Sequence, residues 1–350
     1  MNIALTGGGT AGHIMPNIAL TEALGEYFRN VVYLGAPSSM EEKICKERNI
    51  PYYPTETGKF NRRKLWKNIT LPVLLLRGQK QAKTVLSEQD VDIVFSKGGF
   101  ASMPTVLAAR SIGIPVVCHE SDRTLGLANK VTARFADRIY TAFPNTCKKG
   151  VVMPTPIRDK IFHGERMDLF DSAKPVVLFM GGSLGAKAIN DALSVSLADL
   201  TARYNVLHIG GKDTLPMKTG SYVSVPYADD IENYFATADM IVSRGGASTL
   251  GELTALGKRV LVIPLPKGAS RGDQVLNAAY YLRQGQVSVL PQENLTPDAL
   301  LSAIAHTISK RPPAPAYDRN SPARLARELY DIAKARGSER KRGRRCRYFL

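Results

Sequence analysis

Short apolar runs alternate with longer stretches whose apolar residues fall at helical spacing throughout this chain of 350 residues. Asn2 to Leu5, Val31 to Leu34, Asp92 to Phe95, Pro115 to Cys118 and Arg138 to Thr141 read as buried strands, and Ile14 to Leu24 as one of the helices between them. After Arg158 the alternation restarts. Pro175 to Met180, Tyr204 to His208, Val223 to Val225, Met240 to Ser243, Val260 to Ile263 and Ser288 to Leu290 make the second set. Alternating β and α elements imply a parallel sheet covered on both faces, so two sets predict two doubly wound, Rossmann-like α/β domains. The Pro-rich segment Met153 to Lys160 marks the boundary. The domains expected are 1–158 and 159–330, with a last helix able to cross back to the first.

Glycines stand where strands hand over to helices. Gly7, Gly8, Gly9, Thr10, Ala11 and Gly12 spell G-x-G-x-x-G after the first strand, a place where helix N-terminal N–H groups can face a phosphate. A nicotinamide dinucleotide needs, in addition, an acid at the end of the second strand to hold the ribose hydroxyls. Val31 to Leu34 runs instead into Gly35, Ala36 and Pro37, and Glu41 and Glu42 belong to the next helix. The loop therefore predicts phosphate binding without that cofactor. Gly181 to Ala186 repeats the device with the Ser183 hydroxyl as an added donor, and Ser243 to Leu253 follows another strand into a helix holding Glu252. Ligands bind beyond the carboxyl ends of such strands, so these loops are expected to face a crevice and a substrate with two or more phosphates.

Charge adds a second feature. The net charge is +16, from 47 basic and 31 acidic residues, and Arg336 to Arg347 alone contribute seven basic residues against Glu339. This tail lacks apolar periodicity and is expected to be disordered over 337–350. Arg62, Arg63, Lys64 and Lys67 surround the single tryptophan, Trp66, and precede the apolar run Leu71 to Leu76. Cations beside an aromatic and an aliphatic patch suit an anionic membrane surface, the alternative being a buried helix with solvated ends. No specific nucleic-acid partner is suggested. No apolar run is long enough to span a bilayer, no signal peptide is apparent, and four scattered cysteines read as free thiols.

Taken in order, TGGGTAGH with its following proline, SKGGFASMP (Ser96 to Pro104), HESDRTLGLANK (His119 to Lys130), TPIR (Thr155 to Arg158), GGSLGAKAIND, SRGGASTLGE and RGDQVLNA (Arg271 to Ala278) resemble the MurG family. That family transfers N-acetylglucosamine from UDP-N-acetylglucosamine to undecaprenyl-diphosphate-linked muramoylpentapeptide in peptidoglycan synthesis. The resemblance covers residues 1 to 310 and implies a GT-B glycosyltransferase, peripheral on the cytoplasmic face of the bacterial membrane and needing no cofactor or metal. It implies that Gly8, Gly9, Gly98 and Gly99 take the acceptor's diphosphate. Thr10, Ala11, Gly12, Asp122 and Arg158 are implied near the donor, and Ser183 would donate to its diphosphate. The Ile231 backbone would meet uracil, and Ala247, Ser248 and Thr249 would line the α-phosphate and ribose. Glu252 would accept from the ribose hydroxyls and Gln274 would hold the sugar. The chain departs from the family pattern at Ala11, at Asp122 in HESD where many members have an amide, in TPIR, and at Asp273.

Inverting attack of the muramyl C4 hydroxyl on the donor's anomeric carbon asks for a base. His13, directly after the first glycine loop, is the candidate base; the alternative is a histidine that binds phosphate or caps the helix. Glu120 and Asp122 are weaker candidates. His119, His163, His208 and His306 read as ordinary surface or core histidines. Asp90-Val91-Asp92 matches the DxD of metal-using transferases, but it enters its strand at the end away from the loops and reads as a cap. A UDP-sugar epimerase of the same architecture and a non-catalytic UDP-sugar-binding scaffold on the membrane are the alternative functions.

Overall fold

The computed structural model describes every residue except 59–64, 183–184, 269–271 and 348–350, and all side chains but those and 65, 67 and 338–347. One unit comprises Met1–Arg158 together with Asp318–Leu350, the other Asp159–Tyr317.

The first unit is built on seven strands: β1 (Asn2–Thr6), β2 (Asn30–Gly35), β3 (Tyr52–Pro54), β4 (Ile93–Ser96), β5 (Val116–Glu120), β6 (Arg138–Thr141) and β7 (Gly150–Val152). All pair in parallel in the order β3-β2-β1-β4-β5-β6-β7. Side chains alternate between two buried faces, which is why the central strands read as unbroken apolar runs. Ile3, Leu5, Phe95 and Val117 face Ile14, Leu20 and Leu24 of the helix Ala11–Gly25 and Leu325 and Leu329 of the helix Ser321–Arg347. Ala4, Val94 and Val116 face Ala82 and Leu86 of the helix Leu71–Glu88 and Val106 of the helix Met103–Ser111. The last helix thus crosses back to complete the first core, and residues of the basic tail lie along its end as far as Arg347.

The second unit repeats the plan with β8 (Val176–Met180), β9 (Asn205–Ile209), β10 (Met217–Thr219), β11 (Tyr222–Val225), β12 (Met240–Ser243), β13 (Arg259–Val262) and β14 (Ser288–Val289). Their order is β10-β11-β9-β8-β12-β13-β14, and only the pairing of β10 with β11 is antiparallel.

In each sheet the chain order reverses beside the first strand, between β1 and β4 and between β8 and β12. Helices leave such a pair toward opposite faces, so the loops after the two strands part and leave room for a ligand. The glycine loops sit there: Gly7 to Gly9 after β1, Gly98 and Gly99 after β4, Gly181 after β8, and Gly245 and Gly246 after β12. The Asp90-Val91-Asp92 triplet lies at the opposite end, where Asp92 Oδ2 accepts from the Asn2 amide at 2.8 Å.

Candidate active site

In the first unit two glycine loops are in contact. The Gly8 amide donates to the Gly98 carbonyl at 3.3 Å. Gly99 has φ +81°, a conformation L side chains rarely adopt, and a Cβ there would lie 2.2 Å from the Gly8 carbonyl oxygen. Thr10 precedes the helix Ala11–Gly25, and its Oγ1 lies 3.0 Å from His13 Nδ1 in that helix's first turn. The four glycines and the candidate base expected from the sequence are thus neighbours.

Beneath them lie charged groups taken almost wholly out of water. Lys97, the residue before Gly98, is 1% exposed. Its Nζ lies 2.7 Å from His119 Nδ1 and 2.6 Å from Ser121 Oγ. His119 Nε2 meets the Met153 carbonyl at 3.0 Å. A carbonyl only accepts, so Nε2 carries the proton and Nδ1 accepts from Lys97. Burial lowers the Lys97 ammonium to about 7, while the Glu120 and Asp122 carboxylates act in the other direction. Burial and then the lysine's charge hold His119 well below the usual histidine range.

The loop after β5 is organised by Glu120. One carboxylate oxygen accepts from the Asp122 amide at 3.1 Å; the other accepts from the Gly126 amide at 2.8 Å and Asn129 Nδ2 at 3.0 Å. A carboxylate committed to three N–H donors shapes its loop and is poorly placed as a base. Asp122 is half-buried on that loop. Thr155 Oγ1 donates to Ser121 at 3.1 Å, and Arg158 follows three residues later as the last residue of this part of the unit.

In the second unit the loop after β12 enters the helix Ala247–Ala255. Ala247, Leu250 and Leu253 are buried, while Ser248, Thr249 and Glu252 are half-buried on the other side, with Ser248 and Glu252 one turn apart. Gln274, from the helix Asp273–Arg283, accepts through Oε1 from the Gly245 amide at 3.2 Å and the Leu265 amide at 2.9 Å. Its oxygen is used in holding two loops, so its Nε2 is the group suited to a sugar oxygen. Asn277 Nδ2 adds a bond to the Gly245 carbonyl at 3.1 Å. Ile231 begins the helix Ile231–Thr237, whose Glu232 is buried and paired with Lys160. Ser183 lies outside the described residues.

The chain matches the glycosyltransferase family 28 N-terminal domain over residues 3–141 and the family's C-terminal domain over residues 176–335. The chain belongs to glycosyltransferase family 28. Among family 28 relatives, the UDP-N-acetylglucosamine–N-acetylmuramyl-(pentapeptide) pyrophosphoryl-undecaprenol N-acetylglucosamine transferase of Clostridium novyi is 40% identical, covering 86% of this chain and 89% of that protein. The enzyme of the same name from Geobacillus kaustophilus is 43% identical over the same shares. The crystal structure of Acinetobacter baumannii MurG superposes with a TM-score of 0.69 at 27% identity, covering 94% of each chain. A UDP-GlcNAc 2-epimerase from Methanocaldococcus jannaschii gives 0.64 at 12% identity, a likeness of fold alone.

Two groups beside the first unit's glycine loops escape the sequence reading. Lys97 directly follows the apolar strand β4 and precedes two glycines, and that signal, a cation just past an apolar run, is visible in the sequence. Glu41 is 1% exposed, and its oxygens lie 3.4 Å from the Ala36 amide and 3.5 Å from the Gly9 amide, filling the space under Gly8. In the second unit His208, on β9, lies 2.9 Å from the Tyr222 hydroxyl and 3.1 Å from Asn190 Oδ1, while Asn190 Nδ2 binds the Gly210 carbonyl.

Burial lowers His208 to about 4. Unfolded, it takes its proton near 6.5, so its contribution is intact above that pH and is lost as pH falls toward 4, by on the order of 3 kcal/mol. His119 acts in the same direction. The urea midpoint is therefore expected to fall steeply between pH 6.5 and 4.5, and less steeply in His208→Gln. Equal slopes for the two proteins would contradict this account.

Proposed function

We propose that this protein transfers N-acetylglucosamine from UDP-N-acetylglucosamine to the C4 hydroxyl of the muramyl residue of undecaprenyl-diphospho-muramoylpentapeptide, with inversion and release of UDP. The observation that carries the reading is identity of 40–43% over 86% of the chain with transferases bearing that name. In this reading His13 takes the proton of the C4 hydroxyl as its oxygen attacks the anomeric carbon and the bond to UDP breaks. Gly8, Gly9, Gly98 and Gly99 receive the acceptor's diphosphate on backbone N–H groups. Thr10, Ala11, Gly12 and Asp122 lie toward the donor.

The helix beginning at Ala247, with Ser183 and Arg158, offsets the charge of the departing diphosphate. Glu252 accepts from the ribose hydroxyls, the Ile231 backbone meets uracil, and Gln274 Nε2 donates to the sugar. The test is transfer of labelled N-acetylglucosamine to a short-chain muramoylpentapeptide diphosphate lipid in the presence of EDTA. Labelled lipid product is expected; UDP-sugar binding without transfer would overturn the reading.

The acceptor is anchored in lipid, and the reading places the protein on the cytoplasmic face of the membrane through one patch. Trp66, Ile69, Val73 and Leu76 are 67%, 77%, 51% and 66% exposed, so the apolar run is no buried helix. Among the described residues no helix is long and apolar enough to cross a membrane. Of the basic cluster, Arg62, Arg63 and Lys64 and the side chain of Lys67 lie outside the described residues. Burying one such leucine in lipid is worth roughly 1.5–3 kcal/mol. Leu76→Glu should thus weaken binding to anionic vesicles at least tenfold while leaving transfer to a water-soluble acceptor unchanged. Equal vesicle binding would remove the patch from the reading.

A further inference from the structure

We infer that Lys97 is a positioning residue for the acceptor's diphosphate: its ammonium joins the Gly98–Gly99 loop to His119 and Ser121 and supplies positive charge behind it. The inference rests on the acceptor assignment proposed above. Three segments meet at one nitrogen. Lys97 itself carries the glycine loop, His119 and Ser121 lie on and beyond β5, and Ser121 accepts in turn from Thr155 on the path to Arg158. His119 is fixed from its far side by the Met153 carbonyl, so the lysine's direction is set by the imidazole. Near Gly7, a Cβ would lie 3.0 Å from the lysine's own Cβ, so the stem packs directly under the first glycine loop.

No carboxylate hydrogen-bonds Lys97 among the described residues. The charges acting on it are Glu120, the last residue of β5, and Asp122 in the loop beyond; its bonded neighbour His119 on β5 is neutral. The lysine's hydrogen-bond partners, His119 and Ser121, are both neutral, so the two carboxylates offset its charge only through space. A desolvated cation with neutral partners, beside backbone N–H groups, favours a diphosphate at the loop. With its ionisation brought to about 7, that charge is also one the solution pH can remove.

The consequence is a pH-dependent acceptor KM. In the intact protein, KM for the short-chain acceptor should rise about tenfold from pH 6 to pH 8.5 with the KM for UDP-N-acetylglucosamine little changed, while any change in kcat belongs to the proposed base His13 and should appear equally in Lys97→Met. Lys97→Met keeps the stem and removes the donor, so its acceptor KM should be about tenfold high at pH 6 and flat with pH. Ser121→Ala retains the lysine but removes one acceptor of its proton, so the midpoint of the KM rise should move to lower pH. An acceptor KM in Lys97→Met within twofold of the parent, or an unmoved midpoint in Ser121→Ala, overturns the inference.

A second readout needs no turnover and covers a Lys97→Met protein that does not fold. In the intact protein, the His119 ring nitrogens should show the Nε2–H tautomer by ¹⁵N NMR, with Nδ1 shifting as Lys97 titrates near pH 7. A ring signal without that transition overturns the inference. Absence of transfer by the intact protein would instead overturn the acceptor reading, leaving the NMR result to judge the lysine.

Discussion

His13→Ala lowers kcat/KM for glycosyl transfer by two to four orders of magnitude while leaving UDP-N-acetylglucosamine binding intact. That range is what positioned proton transfer contributes when a side chain removes a proton in the transition state. The geometry gives the role a condition. Thr10 Oγ1 lies 3.0 Å from His13 Nδ1, and a base needs Nδ1–H donating to the threonine so that the basic lone pair falls on Nε2. Thr10→Val removes that acceptor and should cost about tenfold, by letting the other tautomer form. A histidine that only bound phosphate would behave differently: His13→Gln would retain most of kcat and raise the acceptor KM. The measurement is steady-state transfer with both substrates varied. A kcat within fivefold of the parent in His13→Ala would end the assignment.

The strand pattern made much of this frame legible, and its failures have physical reasons. The central strands are buried on both faces, so β1, β4, β8 and β12 appear as apolar runs flanked by glycine. Three strands were not expected: β3, β7 and β10. Each is three residues long and lies at a sheet edge, where one face or both meets solvent and no apolar run is needed. Tyr52-Tyr53-Pro54 even ends in proline, which an edge tolerates because its missing N–H faces no partner. The glycine loops were legible because a turn at a strand end requires residues without side chains.

The second layer of the site was not legible, because it depends on contacts between strands distant in the chain. Lys97 and His119 are separated by 22 residues, and the sequence reading treated His119 as an ordinary core histidine. Nothing local says that its Nδ1 faces an ammonium. Glu120 was a weak candidate for the base on its residue type alone, whereas the folded loop commits both of its oxygens to N–H donors. Glu41 was assigned to the helix after β2, where it does lie, yet its carboxylate reaches back under the first glycine loop. Periodicity locates such residues on elements; it does not give the direction in which a long side chain crosses a sheet.

Gly99→Ala should cost more than any other glycine substitution in the first unit's loops, and the reason can be separated from glycine's general flexibility. Two penalties act together. At φ +81° an alanine is strained by about 1–3 kcal/mol, and its Cβ would lie 2.2 Å from the Gly8 carbonyl oxygen, which is backbone and cannot rotate away. The same Cβ would stand 3.2 Å from His13 Nδ1, so the shift that relieves the overlap also displaces the candidate base. Parting the loops would break the bond from the Gly8 amide to the Gly98 carbonyl. A displacement of about 1 Å at a reacting geometry can cost on the order of 100-fold, so kcat/KM for the acceptor should fall by at least that much. In the proposed reading the groups that hold uracil, ribose and sugar (Ile231, Glu252 and Gln274) belong to the other unit, so affinity for UDP-N-acetylglucosamine should be largely kept. Gly25→Ala is the control, since it ends the helix Ala11–Gly25 with nothing within 4 Å of its would-be Cβ. Full activity in Gly25→Ala with a 100-fold loss in Gly99→Ala would tie the effect to the contact between the loops. Near-parental activity in both would mean that the two loops need not touch for transfer to occur.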